Sequence, residues 1–301
     1  MLSWRSSSKI MQQYGTSYYY ATLFFPKEMQ EAVMQLYRFV RIPDEIVDHV
    51  TSPDLDTHYT QAKTKLQDMY NEVLQAIADN NQKHPTRWQT AKLFNTYNIT
   101  HSYITDFFQA MIQDCTVHRY DSYTQLQWYM YGSAEVVWLM MCDLLQTATT
   151  AHPQARLLGE AMQYTNFLRD IDEDYNAYGR IYMPSDRLTE YGLTHNDIIQ
   201  CCQTKQINTQ FSNFMQAQIT HCRALYTEAN QGITLLPTQA QLPVLLASKL
   251  YEGILDKIES INYNIFANSA KTDKRQKVKI VWYQCFTHYH QRCSLRNYYS
   301  K

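Results

Sequence analysis

The sequence predicts an all-α protein, and three observations carry that expectation. Seven glycines and eight prolines in 301 residues are about one residue in twenty, where average usage is roughly one in eight. Sandwiches and Rossmann sheets use these residues at tight turns and phosphate loops, so their scarcity points to long helices with few connections. Apolar residues recur at three- and four-residue spacing through most of the chain, the period of a helix with one buried face. Finally, 45% apolar and only 18% charged residues place the chain far from the disordered class and supply a large core.

The elements follow in order. The helical pattern begins after Pro26 and runs over 27–50, where Ala32, Leu36, Phe39, Val40 and Val47 keep the period and Pro43 predicts a bend. A loop with Pro53 follows. Residues 60–80, Thr86 to Ile112 and Ser122 to Gln146 each read as helical, separated by polar breaks at Asn80 to Pro85 and His118 to Asp121. Pro153 opens the next helix, which continues to about Ala177; Gly179 and Pro184 then mark a loop. Further helices are expected over Thr209 to Gly232, Gln241 to Ala267 and Asp273 to Gln291. The total is roughly eight to ten helices. No linker, repeat or compositional break divides the chain, so 1–301 reads as a single domain.

Charge and cysteine usage exclude several classes. With 27 Lys+Arg against 28 Asp+Glu, there is no clustered basic excess for a phosphate backbone, and nucleic acid is not an expected partner. The seven cysteines are odd in number, irregularly spaced and without C-x-x-C, which predicts reduced thiols in a cytoplasmic protein. The N-terminal residues lack a secretory apolar stretch, and the run Val136 to Cys142 is far too short to cross a bilayer. A soluble or at most peripheral protein is expected.

Two segments carry chemistry. On a helix, Tyr37, Arg41, Asp44 and Asp48 fall within an arc of about 60°. A lone D-x-x-x-D is usually a solvated face. However, Gln163, Asn166, Asp170 and Asp174 repeat the arrangement within about 80°. Oxygen ligands of this kind suit Mg²⁺, with Mn²⁺ as the alternative ion, because such cations keep waters and substrate phosphates in their shell. Two facing helices of this type could clamp a diphosphate between metal ions, neutralise it as a leaving group and promote ionisation of an allylic carbon. A di-iron bundle needs paired E-x-x-H elements, whereas Glu45 and His49 are four apart and no histidine lies near Asp170 to Asp174. Cys285, His288, His290 and Cys293 spread over about 200° of a helix, too wide to converge on one zinc.

At these residues the sequence resembles the phytoene synthase and squalene synthase family, the head-to-head prenyl diphosphate synthases. The blocks that carry the resemblance are YGTSYYYATLFFP, YRFVRIPDEIVD, YMYGSAEVVWLMM, QYTNFLRDIDEDYNAYGRIYMPSDRL and KLYEGILDKIESINYNIF. The resemblance implies an isoprenoid synthase fold, a single helical bundle around a deep apolar cavity capped by the two acidic motifs. It implies Asp44 and Asp48 as one metal-binding and catalytic pair, and Asp170 and Asp174 as the second, with Asn166 beside them. Arg41, Gln163, Asn166 and Arg169 would orient diphosphate and metal. Tyr37, Tyr129 and Tyr251 match cavity or diphosphate-side tyrosines, Tyr129 among the catalytic set, and Arg180 and Tyr182 lie in a flap-like G-R-I-Y-x-P segment.

The implied reaction is loss of diphosphate from one prenyl donor and attack by the double bond of a second, giving a cyclopropylcarbinyl diphosphate that ionises and rearranges. The first expectation is two geranylgeranyl diphosphates joined to phytoene without redox input. The alternative is farnesyl diphosphate, converted to squalene with NADPH or to dehydrosqualene without it. A third reading, of another class, is a catalytically silent helical lipid-binding or assembly protein, against which the presence of all four aspartates argues. The apolar product predicts transient peripheral membrane contact.

Carbocations need a dry, aromatic wall, for which Tyr18, Tyr19, Tyr20, Phe24, Phe25, Tyr129, Tyr131, Val136, Val137 and Met140 are the candidates. Three positions depart from the family pattern. Thr16 stands where a lysine or other polar residue is often found and Asn268 where an arginine is frequent, each removing phosphate-pairing charge, with Lys271, Lys274 and Arg275 as candidate replacements. Trp138 replaces a usual glycine and predicts a reshaped cavity.

Overall fold

The computed structural model describes residues 4–50, 54–79 and 85–299, and the side chains of 7–50, 54–79 and 88–288. The expected loop at Pro53 and most of the break at Asn80 to Pro85 lie outside the described residues, as do the side chains of His290 and Cys293. The helices are α1 (Trp4–Tyr14), α2 (Thr16–Thr22), α3 (Lys27–Asp48), α4 (Leu55–Asp79), α5 (Pro85–Tyr97), α6 (His101–Gln113) and α7 (Tyr123–Met130), followed by α8 (Val136–Leu145) and α9 (His152–Tyr178). The chain continues through α10 (Ser185–Thr189), α11 (His195–Thr204), α12 (Thr209–Gln231), α13 (Thr238–Ser260) and α14 (Lys274–Tyr299). The all-α expectation holds: among the described residues the only β pairing is an isolated bridge between Arg119 and Ile181.

Local signals place several helix ends. The Ser122 hydroxyl accepts from the Gln125 amide at the start of α7, and the Asn208 side chain accepts from the Phe211 amide at the start of α12, satisfying donors the helix itself leaves open. Pro153 sits in the first turn of α9, and Gly179 ends that helix at φ 66°, a left-handed conformation that costs glycine little. Pro43 lies inside α3, which nevertheless continues to Asp48.

The helices are more numerous than the roughly eight to ten expected from helical periodicity. Two short ones, α1 and α2, precede Pro26, and α10 and α11 occupy the segment after Pro184. The stretch Thr86 to Ile112 divides into α5 and α6, because Asn98 turns left-handed at φ 51° and the Thr100 amide is taken by Asp143 Oδ2 at 2.9 Å. Likewise α13 stops at Ser260 rather than near Ala267, where Asn262 and Tyr263 take φ of 52° and 64°. Asparagine enters that region more readily than most residues, a feature that apolar periodicity does not register.

The core is one contiguous cluster with α9 at its centre, burying Leu158, Ala161, Met162, Tyr164, Phe167, Leu168 and Ile171. Between α7 and α8 the chain widens into a single π turn over Tyr131–Glu135. Gly159 of α9 sits against it: a Cβ there would lie 2.9 Å from the Ala134 carbonyl oxygen and 2.9 Å from Glu135 Cα. That close approach brings α9 and the π turn together along one wall of the cavity.

Candidate active site

A cavity of about 350 Å³ opens between α2, α3, α8, α9 and α13. Every residue singled out from the sequence as a site residue lines it: Tyr37, Arg41, Asp44, Asp48, Tyr129, Gln163, Asn166, Arg169, Asp170, Asp174, Arg180, Tyr182 and Tyr251. The two acidic stripes therefore face one space, and their side chains are partly tied by cations. Arg41 pairs with both Asp44 and Glu45. Arg169 grips Asp170 with two nitrogens, Nε at 2.7 Å from Oδ1 and Nη2 on Oδ2. Arg180 Nη2 donates to Asp48 Oδ1 at 2.8 Å while its amide donates to the Asp174 carbonyl at 3.0 Å, so this one residue joins the ends of the two stripes.

The electrostatics follow from crowding in a poorly hydrated place. Burial first, and the neighbouring Asp48 second, raise the Asp44 carboxyl above its ordinary range. Asp174 is raised by burial, then by Asp170 and Asp48. Burial pulls Arg169 and Arg180 downward, but the carboxylates and tyrosines around them carry both above the usual guanidinium value. Crowding and burial thus favour protonated carboxyls on the two stripes when no counter-charge lies between them, and a divalent cation there would favour the ionised forms instead.

The donor set fits such an ion on a further count. Asn166 Oδ1 is buried and has no hydrogen-bond partner, although it shares the stripe of Asp170 and Asp174. Among the described residues no three His, Cys, Asp or Glu side chains converge to hold an ion by themselves.

Beneath the stripes lies a network that the sequence reading lacked. Asp114, just past α6 and 4% exposed, accepts from Tyr129 Oη at 2.5 Å and Tyr182 Oη at 2.9 Å. Arg180 Nη1 donates to Tyr182 Oη at 2.9 Å and lies 3.9 Å from Asp114 Oδ2. Burial pushes the Asp114 carboxyl up to about 6 despite Arg180. Tyr129, expected as a catalytic group, has its hydroxyl committed to Asp114, and burial then Asp114 hold its phenol neutral. A signal for Asp114 was present: carried one residue past α6, the helical phase puts it within an arc of about 60° with Phe107 and Met111, a carboxylate on an apolar face.

The segment expected as a flap is pinned. The Ile181 amide donates to the His118 carbonyl at 3.0 Å, the Ser185 amide to Tyr120 at 2.9 Å, and Tyr182 stacks on Phe167 at 4.1 Å.

The wall differs from expectation. Of the ten candidates, Tyr18, Phe25, Tyr129 and Val137 line the cavity. Tyr20 and Phe24 point to solvent, with 40% and 41% exposure, and Val136 and Met140 are buried in the core away from it. The Tyr131 hydroxyl turns to Asp106, and Tyr19 packs edge-on against Tyr20. Helical phase explains the division: Ala134, Val137, Trp138 and Met141 share one face, whereas Val136 and Met140 lie opposite. Trp138 lines both this cavity and a second apolar pocket of about 20 Å³, standing between them with Met141 and Val244.

The expected replacement cations, Lys271, Lys274 and Arg275, are exposed and do not line the cavity. Asn268 is also exposed and donates to the Asn264 carbonyl at 3.3 Å. Lys277 is the residue that reaches back instead, its Nζ 2.6 Å from Thr16 Oγ1, where burial and then the nearby Arg169 lower its pKa.

Comparison with known proteins completes the picture. The sequence profile described as squalene/phytoene synthase matches residues 11–282. A chloroplastic phytoene synthase of an Oncidium hybrid cultivar is 30% identical over 290 residues, covering 91% of this chain and 65% of that protein. Phytoene synthase 2 of Solanum lycopersicum is 29% identical over 287 residues, covering 90% and 86%. The chain thus spans about 65% of the length of the first of these relatives. Among solved structures, a dehydrosqualene synthase in complex with ligand superposes with TM-score 0.83 at 22% identity, over 95% of this chain and 96% of the other. A squalene synthase from Alicyclobacillus acidocaldarius gives TM-score 0.74 at 20% identity, over 87% and 94%. The architecture these chains share is the isoprenoid synthase fold.

Proposed function

Because the chain belongs to the squalene/phytoene synthase family, we propose that it joins two prenyl diphosphates head to head, with geranylgeranyl diphosphate as substrate and phytoene as product. The observation that supports this reading most is the meeting of both acidic stripes on one tyrosine-rich cavity. When bound, magnesium would supply charge neutralisation to the diphosphate leaving group. Asp44, Asp48, Asp170, Asp174 and Asn166 are the residues that would hold it.

The chain's own residues then do the following. Arg41, Arg169 and Arg180 keep the carboxylates aimed and prevent their mutual repulsion from splaying the stripes. The first prenyl chain lies in the cavity with its diphosphate at the mouth. Loss of diphosphate leaves an allylic cation, which the double bond of the second molecule attacks, and loss of a proton from the resulting cation closes the cyclopropane while the second diphosphate is retained. Tyr18, Phe25, Tyr129 and Phe167 exclude water from this cation, and the ring faces attract positive charge. Ionisation of the cyclopropylcarbinyl diphosphate, rearrangement and loss of a proton give the hydrocarbon without a reductant.

One observation favours a second reading. Trp138 stands in the cavity wall, and the bulk of an indole there would suit farnesyl diphosphate and a dehydrosqualene or, with NADPH, squalene product. Incubating purified protein with Mg²⁺ and either diphosphate, with and without NADPH, followed by mass analysis of extracted hydrocarbons, separates these outcomes. Phytoene from geranylgeranyl diphosphate alone is expected. Product from farnesyl diphosphate only would replace the leading reading with the second. No hydrocarbon from either, with diphosphate still bound, would mark a silent homologue.

A further inference from the structure

The helix α14 presents a face that the reaction does not use. Val278, Trp282 and Phe286 recur every four residues and are 67%, 68% and 51% exposed, with Tyr283 beside them at 58%. Trp282 and Phe286 stack at 5.6 Å, forming one continuous apolar ridge on the surface. Isolated exposed apolar residues are ordinary, but an aromatic stripe on one helical face is a contact surface. The opposite side of the helix is anchored: Ile280 packs so closely on Gly253 of α13 that a Cβ there would lie 2.8 Å from Ile280 Cδ1.

Charge identifies what the ridge meets. From Lys274 to Tyr299 the helix contains no aspartate or glutamate, in a chain whose overall charge is only -1. Lys274, Arg275 and Lys279 line the same open shelf as Val278 and Trp282. None of the ion pairs among the described residues engages these three cations. Tyr20 and Leu23, 40% and 44% exposed, share a face of α2 with Thr16, the residue that Lys277 of α14 contacts at 2.6 Å. A basic, acid-free helix bearing Trp and Phe on its outer face has the composition of an element that lies in the headgroup layer of an anionic bilayer.

We propose that the outer face of α14, formed by Val278, Trp282 and Phe286 with Lys274, Arg275 and Lys279, docks the protein on anionic lipid membranes. The choice of a bilayer rests in part on the proposed reaction, whose product is a water-insoluble hydrocarbon. The ridge and its charges do not. The docked helix carries Lys277, whose Nζ contacts Thr16 of α2 at 2.6 Å, so the docked face is tied to a helix whose Tyr18, Ala21 and Thr22 line the cavity. No helix among the described residues is long and apolar enough to cross a membrane, and the contact is therefore interfacial.

The test is co-sedimentation of the full chain with vesicles of phosphatidylcholine alone or with phosphatidylglycerol, at low and high salt. Binding to the anionic vesicles, weakened by salt, is expected. Each basic residue near an anionic surface contributes roughly fivefold to partitioning, so K274Q/R275Q/K279Q should lower binding about a hundredfold. W282S should lower it by about tenfold or more, with melting temperature unchanged in both variants. Equal binding by the variants, or no binding to anionic vesicles, overturns the proposal. Sedimentation showing a dimer that W282S dissociates would give the face to a second copy instead and also overturns it. Vesicle binding is read on the resting protein and turnover in detergent, so failure of docking and failure of the proposed reaction are seen separately.

Discussion

Replacing Arg180 with methionine tests how the site is held together. The guanidinium is 3% exposed and donates to Asp48 at 2.8 Å and Tyr182 at 2.9 Å, with Asp114 at 3.9 Å. Methionine fills much of the volume but leaves Asp114, itself 5% exposed along its side chain, with only the hydroxyls of Tyr129 and Tyr182 as partners. Removing one member of a buried charge pair costs about 3–5 kcal/mol. Asp48, 25% exposed along its side chain, can rehydrate, so the lower end of that range, about 3 kcal/mol, is expected. The loss depends on pH with a definite sign. Asp114 already titrates near 6 because it is buried, and without Arg180 its folded value rises further above the unfolded one. The folded variant then binds more protons than the unfolded chain, so its stability falls as pH rises and recovers on acidification. Urea unfolding of wild type and Arg180→Met at about pH 8 and about pH 5.5 reads both effects. A loss below about 1 kcal/mol at the higher pH, or a loss equal at both, would refute the view that Arg180 compensates buried carboxylates.

Other outcomes follow from the same geometry. Trp138→Ala removes the partition between the cavity and the second apolar pocket, and should shift the rate ratio toward longer prenyl diphosphates. Its stability cost should be at most about 3 kcal/mol, because the indole is only half-buried. Competition assays with chains of different length decide this, and an unchanged ratio counts against the partition. Gly159→Ala places a methyl 2.9 Å from the Ala134 carbonyl oxygen, so α9 and the π turn must separate at a cost of about 1–3 kcal/mol. Thermal melting measures that cost, and a neutral result would mean that the contact is slack. Lys277→Gln should raise KM for the diphosphate substrate several-fold with little change in kcat, since it removes ground-state charge beside Thr16; a change in kcat alone would point to another role.

Much of this site was legible because its residues lie on two long helices whose phase is set by number alone. Tyr37, Arg41, Asp44 and Asp48 on α3, and Gln163, Asn166, Asp170 and Asp174 on α9, needed only the helical period to be placed on common stripes. What was less legible depends on tertiary contact. Asp114 belongs to no polar motif, and its role exists only because Arg180, Tyr129 and Tyr182 converge on it from distant segments. Lys277 lies 261 residues from Thr16, and nothing local distinguishes it from Lys271 or Lys274. The aromatic wall was over-counted because YYY and FF runs wind around α2 and its end, so that Tyr18 and Phe25 face the cavity while Tyr20 and Phe24 face water. The breaks at Asn98 and at Asn262 were missed for a different reason: an asparagine in a left-handed turn leaves no mark on apolar periodicity.

The central claim is that the two acidic stripes act together to ionise a prenyl diphosphate. Release of inorganic diphosphate from geranylgeranyl or farnesyl diphosphate in a single turnover tests it most directly, using wild type, Asp44→Asn and Asp170→Asn with Mg²⁺ or with a chelator. Release by wild type with Mg²⁺, lost with chelator and reduced at least about a hundredfold in each variant, is the predicted result. Release that persists with chelator, or in either variant at the wild-type rate, would contradict it.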